Sequence, residues 1–198
     1  MPWLDHFGLL APLYDRVIKP PDPTRLAELA GLPVRGRLLD AGGGTGRIAR
    51  LLAGQARQIV VADESWKMLS HVPHGAAVLL TASHIERLPF PGGAFERVIM
   101  VDVFHHLQDQ ERSLAELVRV CVLGGHVVIE EPDITRLAVW PIALFERVAL
   151  MRSHFRRAEE IATALRALGA IVSIHRQDAT VWVVAEPRRS GKEEATGG

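Results

Sequence analysis

A glycine-rich run from Leu38 to Arg47, LLDAGGGTGR, constrains the fold of this chain more than any other feature. It joins a short apolar strand to a turn and then to a helix. The glycines of the turn are Gly42, Gly43, Gly44 and Gly46. Glycine tolerates positive φ and lets a ligand approach the backbone closely, so the run predicts a turn built around a nucleotide-type cofactor.

Two acidic residues flank this turn. Asp40 ends the first apolar strand, and Asp63 ends the next apolar run, at the place where ribose hydroxyls are usually bound. Two cofactors fit the pattern. Gly44, Gly46 and Ala49 match the G-x-G-x-x-G/A of a dinucleotide site. Asp40 instead favours S-adenosylmethionine, because it would face the cationic amino acid end of that ligand and would repel a pyrophosphate.

Seven apolar runs of strand length recur along the chain, at 36–41, 58–63, 76–82, 96–102, 126–131, 170–175 and 180–186. The first five are nearly continuous in Val, Ile and Leu, as in parallel strands buried on both faces, and helical spacing appears at 47–54, 65–72 and 110–121. The last two runs are too close for a parallel crossover. We therefore expect an α/β fold: a Rossmann-like, doubly wound sheet of seven strands, five parallel followed by an antiparallel terminal hairpin, with helices on both faces.

Composition indicates one domain, over residues 1–187, followed by a polar tail at 188–198 that we expect to be disordered. Lys+Arg and Asp+Glu balance at 23 each, which leaves no basic field to attract nucleic acid.

Cys121, the single cysteine, lies in an apolar stretch and is interpreted as a small buried hydrophobe in a reducing compartment. No apolar run is long enough to span a bilayer, so we expect a cytoplasmic protein without membrane insertion.

With the glycine turn and the acid after the second strand, three further stretches stand in order: FGLLAPLYD near the start, ERLPFPGGAFERVIMVDVFHHLQD, and LGGHVVIEEPD. Together they resemble the class I S-adenosylmethionine-dependent methyltransferases over about residues 7 to 186. The similarity is greatest to the small-molecule group that includes the ubiquinone and menaquinone C-methyltransferases. The resemblance implies five parallel strands and a reversed hairpin, with S-adenosylmethionine as cofactor and S-adenosylhomocysteine as product.

The resemblance also implies roles for individual residues. The turn glycines would pack against the methionine and ribose parts of the cofactor, Asp40 would help orient its amino end, and Asp63, with Glu64 beside it, would bind the ribose. Family members commonly have an aspartate at the place of His84, where it accepts a hydrogen bond from the adenine amino group. A neutral imidazole can also accept one. His84 as a surface histidine, with the Ile85 amide serving adenine, is the alternative.

His105 and His106 follow the fourth strand, at the edge where ligands bind in open α/β sheets. A histidine pKa near ~6.5 suits a general base, so they are the candidate catalytic residues. A buried histidine capping the next helix would explain the same sequence. No Cys or acid stands at ligand spacing from the pair, so no metal site is predicted. Glu130, Glu131 and Asp133 are candidates for acceptor binding or loop capping, and strand alternation sends only one of the two glutamates to a given face.

The acceptor is expected to be small and partly apolar. Apolar residues recur at helical spacing over 136–155, which predicts a helix on the substrate side, and residues 1–24, with Tyr14 as a cofactor contact, are a candidate lid. The chain lacks the Asn/Asp-Pro-Pro-aromatic and Pro-Cys motifs of nucleic acid methyltransferases. Two other hypotheses remain: a non-catalytic domain that binds S-adenosylmethionine, and an NAD(P)-dependent oxidoreductase. The oligomeric state is not predicted.

Overall fold

One seven-stranded sheet organises the part of the chain that the computed structural model describes, which is residues 22–73, 75, 77–135 and 154–188. Its order is β3-β2-β1-β4-β5-β7-β6. Strands β1 to β5 pair in parallel, whereas β7 runs antiparallel to both β5 and β6. The predicted doubly wound sheet with a terminal antiparallel hairpin is confirmed. The strands are β1 (Arg37–Ala41), β2 (Gln58–Asp63), β3 (Val78–Ala82), β4 (Phe95–Val101), β5 (Cys121–Pro132), β6 (Ala170–Gln177) and β7 (Thr180–Pro187).

Helices cover both faces of this sheet. They are α1 (Pro23–Ala30), α2 (Arg47–Leu51), α3 (Trp66–Leu69), α4 (Gln110–Val120) and α5 (Ala158–Ala167), with 3₁₀ turns at Ile85–Arg87 and Phe104–His106. The sequence placed Cys121 in the helix predicted at 110–121 and began the fifth strand at His126. The structure differs because Cys121 pairs with Phe95 of β4, so β5 begins where α4 ends.

The core forms two layers, one on each face of the sheet. Leu39, Val60 and Met100 point to one face, which α4 and α5 cover. On the other face the strand residues between them, such as Leu38, pack under α1, α2 and α3. Burial on both faces explains why the first five apolar runs are nearly continuous rather than alternating.

The sheet brings the carboxyl ends of its central strands to one edge. Asp40 lies one residue before the end of β1, Asp63 ends β2, Asp102 follows β4 and Glu130 lies near the end of β5. Charged side chains from four strands therefore lie along this edge, where an open α/β sheet binds its ligands. The segments at 1–24, 136–155 and 188–198 fall almost entirely outside the described residues.

Candidate active site

The turn between β1 and α2 has the backbone conformation that its glycines predict. The φ angles are 75° at Gly42, 51° at Gly44 and 73° at Gly46, all in the left-handed region. The amides of Gly42 and Gly43 both donate to the carbonyl of Ala62, at 2.7 and 3.2 Å, which fixes the turn to β2. The left-handed angles favour glycine at these positions, because most side chains are strained there.

The surroundings of the turn differ from one glycine to the next. A Cβ added at Gly42 would lie 2.5 Å from Val103, and one at Gly46 would lie 2.8 Å from Val72, so protein fills the space beside both. At Gly44 an added Cβ would meet only the tip of Met68, at 3.2 Å, and a carboxylate oxygen of Asp63, at 3.9 Å. Gly44 is therefore the least enclosed of the three glycines, and it lies beside the acid that ends β2.

Asp63 holds the turn from the end of β2. One carboxylate oxygen accepts a hydrogen bond from the Gly44 amide at 3.0 Å, and the other accepts one from the Ser65 amide at 2.8 Å. A carboxylate oxygen has capacity for a further bond after the first. Asp63 can thus bind ribose hydroxyls while it keeps the glycine turn in place.

Asp40 lies beneath the turn rather than at its mouth. Its side chain is 1% exposed, and a Cβ added at Gly43 would lie 2.6 Å from its carboxyl carbon. One of its oxygens has no hydrogen-bond partner. Burial raises the pKa of Asp40 from 3.8 to about 7, and the negative charge of Asp63 adds to the rise. A backbone hydrogen bond at Ala49 and the positive charge of Arg47 lower this pKa in part. In this arrangement the backbone of the turn separates Asp40 from a ligand above it.

His84 and Glu64 lie side by side beyond the ends of β3 and β2. The Ser83 amide donates to the Asp63 carbonyl at 2.9 Å, which holds the two chain segments together. His84 Nδ1 lies 3.1 Å from Glu64 Oε2, and the side chains are 74% and 66% exposed. Ile85 is buried. His84, where the resemblance implies an aspartate, is therefore paired with Glu64 at the end of the neighbouring strand.

His105 and Glu131 form a buried pair. His105 Nδ1 lies 2.5 Å from Glu131 Oε2, and the other oxygen of Glu131 accepts a bond from the Phe104 amide at 2.9 Å. His105 is 1% exposed, and Phe155 stacks on its ring with centroids 4.4 Å apart. The carboxylate fixes the tautomer in which Nδ1 carries the proton, so Nε2 carries the lone pair. His106 makes a tilted ring contact with His105, at 4.0 Å.

Strand alternation separates the two glutamates as predicted. Glu130 accepts a hydrogen bond from the indole nitrogen of Trp182 at 2.7 Å, on the opposite side from His105. Burial raises the pKa of Glu130 to about 7, and the neighbouring charge of Asp102 adds to the rise.

Asp133 has a different role: it accepts hydrogen bonds from the amide and hydroxyl of Thr135, at 3.1 and 2.6 Å, and it forms an ion pair with Arg176. This is the loop-capping alternative.

The sequence interpretation did not single out Arg47 and Asp102 as site residues. They form an ion pair at 3.3 Å between the start of α2 and the first residue after β4. Burial raises the pKa of Asp102 to about 6, with a further rise from the charge of Glu131. The signal in the sequence was slight: Asp102 is the first polar residue after the apolar run VIMV, at the edge where ligands bind.

The predicted cofactor contact Tyr14 lies outside the described residues. Among the residues described, no three or more His, Cys, Asp and Glu side chains are grouped so that they could hold a metal ion. Within the same ranges, none of the helices combines the length and the apolar character that crossing a membrane requires.

Comparison with known proteins shows what the chain is similar to. The family model described as a methyltransferase domain matches residues 39–129, from β1 to β5. The match covers just under half of the chain and supports a class I methyltransferase fold for it. The family match and the structural neighbours imply S-adenosylmethionine as the cofactor. The match decides between the two cofactors that the glycine pattern left open.

Individual relatives agree with this assignment. The demethylmenaquinone methyltransferase of Thermus thermophilus is 34% identical over 114 residues, which are 54% of this chain and 52% of that protein. The chain thus spans about half the length of the curated relatives it matches. Among solved structures, a Haloferax volcanii methyltransferase in complex with its Trm112 activator has a TM-score of 0.75, 17% identity, and coverage of 95% of this chain and 100% of that one. A possible histamine N-methyltransferase of Thermotoga maritima has a TM-score of 0.73, 21% identity, and coverage of 92% and 98%.

Proposed function

We propose that this chain transfers the methyl group of S-adenosylmethionine to a small, partly apolar organic acceptor, with His105 as the general base. The observation that carries the proposal is the buried pair of His105 and Glu131 at the carboxyl edge of the sheet. The demethylmenaquinone methyltransferase relative supports an acceptor of the quinol class.

When bound, the cofactor supplies a methyl group on a cationic sulfur, which leaves as a neutral thioether. No acid is therefore needed for the leaving group, and positioning with exclusion of water supplies much of the rate. Asp63 would bind the ribose, and Gly44 would let the ligand approach the backbone.

The remaining chemical task is to take a proton from a hydroxyl or an acidic carbon of the acceptor. Glu131 holds Nδ1 of His105 protonated, which presents Nε2 as the proton-accepting nitrogen and stabilises the imidazolium that forms. The Phe155 ring, stacked on His105, gives the site an apolar wall that suits a flat acceptor. Glu131 acts through His105, so it is a positioning residue.

The test is a methyl-transfer assay with labelled S-adenosylmethionine and a panel of reduced naphthoquinones, benzoquinols and catechols, with product detected by mass spectrometry. His105→Ala should lower kcat by roughly 10²- to 10⁴-fold, the usual contribution of a general base, with unchanged cofactor affinity. Glu131→Gln should lower kcat and shift the pH profile, because the imidazolium loses its counter-charge. His106→Asn tests the neighbouring imidazole.

Two results would contradict the proposal. Equal activity of wild type and His105→Ala would show that His105 is not the general base. Cofactor binding without methyl transfer to any acceptor in the panel would favour a non-catalytic binding domain.

A further inference from the structure

Arg47 and Asp102 place opposite charges side by side at the mouth of the glycine turn. Arg47 is the first residue of α2, directly after the turn, and Asp102 directly follows β4. The nearest nitrogen and oxygen are 3.3 Å apart, and the side chains are 19% and 17% exposed. The two charged groups are thus fixed by different elements and keep part of their surface open to a ligand.

The position of Asp102 is set by its backbone. Its φ of 57° lies in the left-handed region, and its amide donates to the Glu130 carbonyl at 3.0 Å. The next residue, Val103, packs directly against Gly42. Asp102 therefore lies beside the turn, on the side of Gly42.

Asp40, the acid that the sequence assigned to the cationic end of the cofactor, is less suited to that contact. It is 1% exposed, and the backbone at Gly43 covers its carboxyl group. The Asp102 side chain is 17% exposed, so it is the more accessible of the two acids.

We propose that Arg47 and Asp102 bind the amino acid end of S-adenosylmethionine, with Asp102 accepting hydrogen bonds from its ammonium group and Arg47 donating to its carboxylate. This inference rests on the proposed function, since it names contacts to the same cofactor. An α-amino acid carries one positive and one negative group a few bonds apart, and the Arg–Asp pair offers the complementary charges. Guanidinium and carboxylate form the stronger, charge-assisted hydrogen bonds with such groups.

The experiment compares three ligands by calorimetric titration. S-adenosylmethionine and S-adenosylhomocysteine carry the amino acid end, whereas 5′-methylthioadenosine lacks it but keeps the adenosine. Asp102→Asn should weaken the first two by about tenfold to hundredfold, the range for a lost charge-assisted bond, and leave the third unchanged. Asparagine tolerates the left-handed conformation, so this variant keeps the local fold. Arg47→Gln should show the same selectivity, whereas Asp63→Asn should weaken all three ligands.

Several outcomes would overturn the inference. Unchanged S-adenosylmethionine affinity in Asp102→Asn would show that Asp102 does not bind the ammonium group of the cofactor, and it would leave the cofactor assignment intact. Equal weakening of all three ligands would mean that Asp102 only supports the turn. A selective loss in Asp40→Asn larger than that in Asp102→Asn would return the role to the buried acid. If the wild-type protein bound none of the three, the proposed function itself would fail.

Discussion

Replacing Asp40 by asparagine should stabilise the protein more at alkaline than at acidic pH. Burial raises the pKa of Asp40 from 3.8 to about 7. An acid whose pKa is higher in the folded state than in the unfolded state disfavours folding as the pH rises between those two values, because the unfolded chain releases the proton first. The stability contributed by the neutral form is thus lost from about pH 4 upward, and the loss levels off above about pH 7.

The size of the effect follows from the two pKa values. At 1.36 kcal/mol per unit, the folded protein is disfavoured by roughly 2 kcal/mol at pH 5 and roughly 4 kcal/mol at pH 8, relative to strongly acidic solution. Asparagine has no such titration. The free energy of unfolding of Asp40→Asn minus that of wild type should therefore rise by roughly 2–3 kcal/mol between pH 5 and pH 8.

Urea unfolding at the two pH values, followed by tryptophan fluorescence, measures this difference. Only the change of this difference with pH tests the reasoning. Asparagine also changes the hydrogen bonding of a buried site, which shifts the free energy of unfolding equally at both pH values. Asp178→Asn is the matched control: Asp178 is exposed, and its φ of 53° suits asparagine as well. Its difference from wild type should be the same at both pH values. If the Asp40→Asn difference were also independent of pH, the buried acid would not have a raised pKa.

Three further predictions concern the turn, the thiol and the cofactor. Gly42→Ala should cost roughly 2–4 kcal/mol of stability in urea unfolding, because of left-handed strain and the clash with Val103. Gly54→Ala has the same strain but open space around it, so it should cost only about 1–2 kcal/mol. Equal costs for the two variants would show that the clash does not contribute. Burial raises the pKa of the Cys121 thiol to about 12. Ellman's reagent at pH 8 should therefore label this thiol only as fast as the protein unfolds. Labelling of the folded protein within seconds would contradict this prediction. S-adenosylmethionine binding at pH 6.5 should release protons from Asp102 and Glu130, whose pKa values are raised. Titration enthalpies that are identical in phosphate and imidazole buffers would show that none is released.

The fold was predictable from the sequence because its causes are local. Strands buried on both faces require continuous apolar runs, and the left-handed angles at Gly42, Gly44 and Gly46 favour glycine. The short link between the last two runs excluded a crossover and required the antiparallel hairpin. Each of these conclusions depended on neighbours in the chain.

The pairing of site residues depends on distant parts of the chain and was not predictable. Glu131 contacts His105 rather than His106 because the 3₁₀ turn rotates one imidazole inward, and this rotation has no sequence signature. Arg47 and Asp102 come together only because β1 and β4 are neighbours in the sheet. Motif position placed an acid near the cofactor at Asp40, but it did not show that the backbone would cover it.

The charge at this edge of the sheet explains why a cationic ligand suits it. Burial raises the pKa of both Asp102 and Glu130. The charge of Glu131 adds to the rise at Asp102, and the charge of Asp102 adds to the rise at Glu130, whereas Arg47 lowers both pKa values. Without a ligand, part of this negative charge is neutralised by protons, which is what the raised pKa values express. A ligand with an ammonium group and a sulfonium would supply that positive charge and displace the protons. S-adenosylhomocysteine has lost the sulfonium charge, so it should displace fewer protons and bind more weakly at neutral pH, a difference that would favour release of product after each transfer.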